Sequence, residues 1–433
     1  MKNSLLLSEH KNLKYPIASG IEKNKLSQNF YGVNWADPRD NFEKGNLYLS
    51  GLDSTDTYNT ASIVAGKIIG QMMTLLGSNS VRMPINESTV SNFWGTYTGA
   101  IDKALSLGKV ILCYWAYSGG KPASMTDFWN MWTKVINTYG SNNNCYFEPI
   151  NEPWSYSDTA LCNLYYSWIT KFPSVPQSRV ILDGGGSAQR VAAVGSDSRL
   201  INCRLAVHEY SFFVSPPYTT EAAWSQHLAG YVGSYAARTI CTEWGYPCSP
   251  GSKNGVSYGY IDYSPGLTSN FFYYYARGVA DQLSSWGMGS FYWPGLRDGD
   301  WYSMTKKTGS DSTIVLSVPN ASALINLRRG WGITTSILKK DSTDMPTHFI
   351  LGQNYPNPFN PTTEISYSIP KDETVTLKVY DILGREVATL VDEEKSAGTY
   401  TVEFDGNRLS SGTYYYCFQA GNFVENKKMI LLK

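Results

Sequence analysis

Two carboxylates stand where acid chemistry is expected. In "FEPINEPWSY" (147–156) Glu152 closes a strand-like run, and in "RTICTEWG" (238–245) Glu243 does the same. An acid at the mouth of a strand is costly to desolvate and is usually avoided unless it works. One carboxylic acid that protonates a leaving oxygen, beside a carboxylate that attacks carbon or activates water, is the equipment for breaking a glycosidic bond. Taken singly, Glu152 reads equally as part of a helix-start turn and Glu243 as an ion-pair partner. Glu148 lies four residues before Glu152, points the same way from a deeper position, and reads as structural. The pair matters only if the fold brings it together.

Eight short apolar runs supply the frame: 31–35, 80–85, 109–115, 145–152, 179–185, 203–210, 238–245 and 289–295. Several are continuous β-branched and aromatic runs, as parallel strands covered on both faces require. Amphipathic stretches lie between them, at 61–77, 124–140 and 220–236, with 320–332 closing the series. The helix between the fifth and sixth strands rests on "SAQRVAAVG" alone. This alternation predicts an α/β fold, a (β/α)₈ TIM barrel over residues 30–332. An open doubly wound sheet would open on a Gly-rich phosphate loop, and "GVNWADPRD" is not one. In a barrel, working residues gather at the C-terminal mouths of strands. Arg82, Trp115, Asn151, Glu152, His208, Tyr210, Glu243 and Trp293 all stand there.

This order of residues resembles glycoside hydrolase family 5, the cellulase-like family of clan A. The resemblance implies that Glu152 in "NEP" is the acid/base and Glu243 in "TEWG" the nucleophile. It further implies that Asn151 bonds the sugar 2-hydroxyl, that Tyr210 in "HEY" (with His208) and Arg82 in "VRMP" serve the nucleophile, and that Trp293 is a sugar platform. The family's Asp-x-His after the third strand is replaced by "CYWAY", with Tyr114 and Trp115 there. The expected activity is retaining hydrolysis of a polysaccharide, an endo-β-glycanase on glucan, mannan or xylan. An exo-acting arabinofuranosidase or galactofuranosidase is the alternative, and a carbohydrate-binding protein on an inactive barrel is the non-enzyme one. Trp35, Trp94, Trp115, Trp154, Trp244, Trp301 and Tyr302 are candidate cleft aromatics. No His/Asp/Glu set for a metal is visible, and no cofactor is expected.

Composition agrees with a sugar ligand. Lys+Arg and Asp+Glu are both 36, which disfavours nucleic acid and anionic membranes. Charged residues make up 17% and aromatics 14%, with 13 Trp and 32 Tyr to stack on sugar rings. No segment suits a membrane span, and a monomer is expected. The seven cysteines lack zinc spacing, so buried thiols are expected. Residues 1–29 have no sustained apolar core, and no signal peptide is read there.

After residue 332 the texture changes. A polar linker (333–349) leads to "LGQNYPNPFNPTTEISYSIP" and then to alternating runs at 374–381, 399–406 and 413–421. These predict a small antiparallel β-sandwich over 350–433. The segment closely resembles the C-terminal sorting domain of the type IX secretion system. That resemblance implies the secretion machinery as a partner, and a secreted or cell-surface protein of a Bacteroidetes-type bacterium.

Overall fold

The computed structural model describes residues 29–333 and 349–433, except 41–42, 254, 265–269, 353 and 355–356. The chain divides into two compact units, Met1–Thr334 and Thr335–Lys433.

The first unit is a closed eight-stranded parallel barrel. Its strands are β1 (Tyr31–Trp35), β2 (Ser80–Ile85), β3 (Lys109–Tyr114), β4 (Cys145–Glu148), β5 (Ile181–Asp183), β6 (Arg204–Glu209), β7 (Thr239–Trp244) and β8 (Ser290–Leu296). They pair in the order β4-β3-β2-β1-β8-β7-β6-β5. A parallel bridge from Phe147 to Val180 closes the ring. The apolar runs are strands because both faces are covered: all six residues of β2 are buried, and so are all six of β7.

Helices complete the outer layer. Tyr58–Leu76 starts on a Thr57/Thr60 capping box and stops at Gly77, whose φ of 84° is left-handed. Its buried stripe of Ala61, Val64, Ala65, Ile68, Met72 and Leu76 packs on the barrel wall. Between β5 and β6 the chain manages only short turns of helix, Gly185–Ala188, Val191–Gly195 and the 3-10 turn Ser198–Leu200. Two hairpins that the periodicity did not predict, Gly251–Lys253 with Val256–Tyr258 and Lys306–Thr308 with Val315–Ser317, decorate the loops after β7 and β8.

Inside the barrel the side chains form two storeys. Phe30, Ile111, Ile181, Ala206, Ile240 and Phe291 make an apolar plug. Gly32 is required there, since a Cβ would fall 2.1 Å from the Phe291 ring. Above the plug the inward residues turn polar: Asn34, Arg82, Glu148, Asp183, His208 and Thr242 are all buried. Six cysteines, Cys113, Cys145, Cys162, Cys203, Cys241 and Cys248, are buried free thiols.

The second unit is antiparallel. Ile350–Leu351, Thr362–Ile369 and Gly398–Asp405 form one sheet, and Glu386–Lys395, Glu373–Tyr380, Gly412–Ala420 and Phe423–Leu431 form another. Alternation sends Val375, Leu377 and Val379 into a core with Ile365, Phe404 and Phe418. The Pro-rich turn is tied to the last strand, where the Phe359 amide donates to the Ile430 carbonyl at 2.9 Å.

Candidate active site

The polar storey is organised by Arg82, which is 1% exposed. Its Nε and Nη2 grip both oxygens of Glu148, at 2.6 and 2.9 Å. Nη1 donates to Glu243 Oε1 at 2.6 Å and to Asn34 Oδ1 at 2.9 Å, while Nη2 also reaches Asn151 Oδ1 at 2.5 Å. A planar guanidinium fork can hold a bidentate partner and still serve a second carboxylate, which an ammonium cannot do in fixed geometry. Burial works against the Arg82 charge, but the surrounding acids hold it well above its ordinary range. Cys113, 3.0 Å from Nη2, is itself pushed up by burial and stands as a neutral thiol, so the two carboxylates carry that effect.

Glu243 receives a second donor on its other oxygen, the Tyr210 hydroxyl at 2.8 Å. Burial, and then the Glu243 charge, push the Tyr210 phenol well up, so it remains a protonated donor. Glu243 reaches the pocket through a break in pairing. β6 and β7 run in register through Val207 and Cys241, then skip Thr242, so that His208 lies opposite Glu243. The extra residue turns both Thr242 and Glu243 towards the interior, as a bulge does.

Glu152 lies just past β4 in a left-handed conformation, with a φ of 45°. That conformation is unfavourable for a residue with a Cβ, so the surroundings must hold it. Its amide donates to Asp183 Oδ2 at 2.8 Å, and Oε1 lies 2.9 Å from His208 Nδ1. The other ring nitrogen of His208 contacts Thr242 Oγ1 at 3.0 Å. His208 therefore joins the loop of Glu152 to the bulge that aims Glu243. One oxygen of each glutamate and a His208 ring nitrogen all lie within 4.8 Å of one another.

Asp183 was not singled out from the sequence. It is fully buried, and beyond the Glu152 amide its Oδ1 has no donor. Burial and the adjacent Glu148 charge push its carboxyl well up, whereas Arg82 overcomes burial to hold Glu148 down. Of the two, Asp183 is the one pushed towards its neutral form, and Glu148 the one held ionised. The signal in the sequence was the acid closing "RVILD" at the mouth of the fifth strand.

A cavity of about 560 Å³ opens over these groups. Asn151, Glu152, Tyr210, Glu243, Trp115 and Trp293 line it, and Trp154, Trp301 and Tyr302 join them. Trp115 and Trp293 stand together, with ring centroids 5.4 Å apart. Three expected cleft aromatics are elsewhere. Trp35 is fully buried with its indole N–H on the Ser50 carbonyl, Trp244 is fully buried, and Trp94 is buried at a helix start. On a covered strand every second side chain faces the helices, and a tryptophan at a strand end looks the same in sequence either way.

The expectation that no His/Asp/Glu set converges also needs correction. Two do: Glu148 with Asp183 and His208, and Glu152 with His208 and Glu243. Their donors are committed to one another and to Arg82, Thr242 and Tyr210 through the bonds above.

Residues 353–432 match the model of the secretion system C-terminal sorting domain. The chain thus carries a domain of the kind that directs proteins to secretion or the cell surface in Bacteroidetes-type bacteria. No curated protein matches the chain. Among solved structures, Cel5A (EG2) from Hypocrea jecorina is 17% identical, with 69% of this chain and 97% of that one covered, at a TM-score of 0.47. The endo-beta-1,4-mannanase from Thermotoga petrophila is 13% identical, with 94% and 98% covered, at a TM-score of 0.40. The catalytic domain of endoglucanase Cel5A from Thermobifida fusca is 14% identical, with 62% and 87% covered, at a TM-score of 0.42. These likenesses are of fold alone. Among the described residues no helix is long and apolar enough to cross a membrane.

Proposed function

We propose that the barrel is a retaining glycoside hydrolase, with Glu243 as nucleophile and Glu152 as acid/base. The observation that carries this reading is the pairing of two differently held carboxylates within 4.8 Å over an aromatic pocket. Retention needs the two groups roughly 5–5.5 Å apart, against roughly 6.5–9.5 Å for inversion, and the nearest-oxygen separation favours the former. Glu243, gripped by Arg82 and Tyr210, attacks the anomeric carbon as the glycosidic C–O bond breaks, and Glu152 gives its proton to the departing oxygen. Water then loses a proton to Glu152, attacks the same carbon and releases Glu243 as carboxylate. Asn151, its Oδ1 taken by Arg82, keeps its amide NH₂ for the sugar.

Within this reading the substrate is a glucan, mannan or xylan cut internally. The close Trp115–Trp293 pair on the pocket wall is the observation that favours an exo-acting alternative. Product profiles separate them: ladders mean endo, monosaccharide alone means exo. To test the roles, Glu152→Ala should still accept substrates with good leaving groups, and azide should raise its turnover. Proton NMR of the first product should show the substrate's own anomeric configuration. A product of opposite configuration would leave Glu243 as a general base and end the double-displacement reading.

A further inference from the structure

Among the described residues, the pocket holds one cation with no carboxylate paired to it. Lys253 ends the first strand of the hairpin after β7 and lines the same cavity as both glutamates. Its ammonium sits over the Phe212 ring, 3.2 Å from the centroid. Phe212 in turn stacks on Tyr210, with centroids 4.7 Å apart and planes 20° apart, and Tyr210 bonds Glu243. Three contacts therefore connect Lys253 to the residue proposed as nucleophile.

Arg297, the other cation lining the cavity, is already committed. It pairs with Asp40 at 3.1 Å and Asp300 at 2.8 Å. Lys253 has no carboxylate partner among the described residues. Burial alone lowers its pKa, to about 8, with nothing opposing it. An aromatic face offsets only part of the desolvation of a cation, and a half-buried ammonium without an anion is a cost. Evolution usually tolerates such a cost where a ligand supplies the missing charge. The acids lining the cavity have other partners: Asp40 and Asp300 pair with Arg297, Glu43 accepts the Gly45 amide at 2.5 Å, Glu152 meets His208, and Glu243 is held by Arg82 and Tyr210.

We propose that the pocket takes a saccharide bearing an anionic substituent, a carboxylate or a sulfate, which Lys253 binds beside the scissile bond. Phe212 and Phe213 line the cavity beside Lys253, and a charge-assisted bond to the ammonium would be stronger than a neutral one. The inference rests on the glycosidase reading but can fail separately from it.

The test uses the full chain and two matched polysaccharide pairs. One is a uronate-bearing xylan against its carboxyl-reduced form, and the other a sulfated glycan against its desulfated form. Wild type should favour the anionic member of one pair by roughly ten- to hundredfold in kcat/KM, and that pair identifies the anion. In Lys253→Met the ratio should fall to about one, while Lys253→Arg keeps most of it. A wild type that prefers both neutral forms, or a ratio that Lys253→Met leaves unchanged, would overturn the assignment. Hydrolysis of neutral forms alone, abolished by Glu243→Gln, would remove the anion site and leave the glycosidase standing. Hydrolysis of none of the four would remove both.

Discussion

At the scale of single residues, the site depends on giving each carboxyl a different environment. Glu243 has two strong donors, Glu152 is partly open to the cavity, Glu148 belongs to Arg82, and burial pushes Asp183 towards its neutral form. Asp183 is a positioning residue, because it touches the strained Glu152 backbone and not the pocket. Asn is a close mimic of a neutral carboxylic acid, with an oxygen for the Glu152 amide and an NH₂ for Glu148. Asp183→Asn should therefore keep wild-type kcat and an overlaying pH–rate profile, whereas Asp183→Leu should lose on the order of a hundredfold by misplacing Glu152. The stability sign is equally specific. A raised carboxyl pKa means the folded chain keeps a proton that the unfolded chain releases above about pH 3.9. Stability from Asp183 is complete below that pH and is lost as pH rises towards the folded value. Urea melts should accordingly show Asp183→Asn gaining on wild type as the pH rises above about 4. An ionised Asp183 would reverse that trend and would make the Asn variant shift the rate profile. The placement of Glu152, Glu243, Arg82 and Tyr210 was legible because residue type and strand end coincide. Asp183 was not, since its importance comes from neighbours on β4 that only the closed ring supplies.

At the scale of elements, the strands were readable as continuous apolar runs, and the helices as amphipathic stretches between them. The register was not. The bulge that delivers both Thr242 and Glu243 depends on how β7 meets β6, and hairpin Gly251–Lys253/Val256–Tyr258 carries its pocket lysine in a loop without hydrophobic period. The same limit explains the misplaced tryptophans Trp35 and Trp244, whose facing is a matter of pleat. Gly245 shows how tightly the strand ends are set. A Cβ there would fall 2.0 Å from the Trp293 carbonyl oxygen, which is backbone and cannot swing aside. Gly245→Ala must push the end of β7 away from β8, separating Glu243 from the Trp293 side of the pocket. We expect about 1–3 kcal/mol lost in urea unfolding, and a fall in kcat at temperatures where the variant is fully folded. A Gly245→Ala protein with wild-type stability and kcat would show that the strand ends adjust freely.

At the scale of the whole molecule, the two units have separate cores. The barrel cluster and the sandwich cluster share no buried residue, and every group in the candidate site belongs to the first. The sandwich closes its own hydrogen-bond ledger, pairing strand with strand and fastening the Pro-rich turn to its final strand. Its match to a sorting domain gives it a task that needs no contact with substrate. Ending the chain at Thr347 should therefore separate two properties that the intact protein combines. On the proposed glycosidase reading, the shortened protein should melt cooperatively and retain the full-length kcat on soluble glycan, because neither the Arg82 network nor the cavity loses an atom. In a host with this secretion system it should remain inside the cell, while the full chain reaches the surface or medium. Fusing residues 349–433 to an unrelated periplasmic passenger should export that passenger. A truncated protein that folds but no longer hydrolyses would mean the tail helps build the site, and unchanged export without it would place the address elsewhere in the chain.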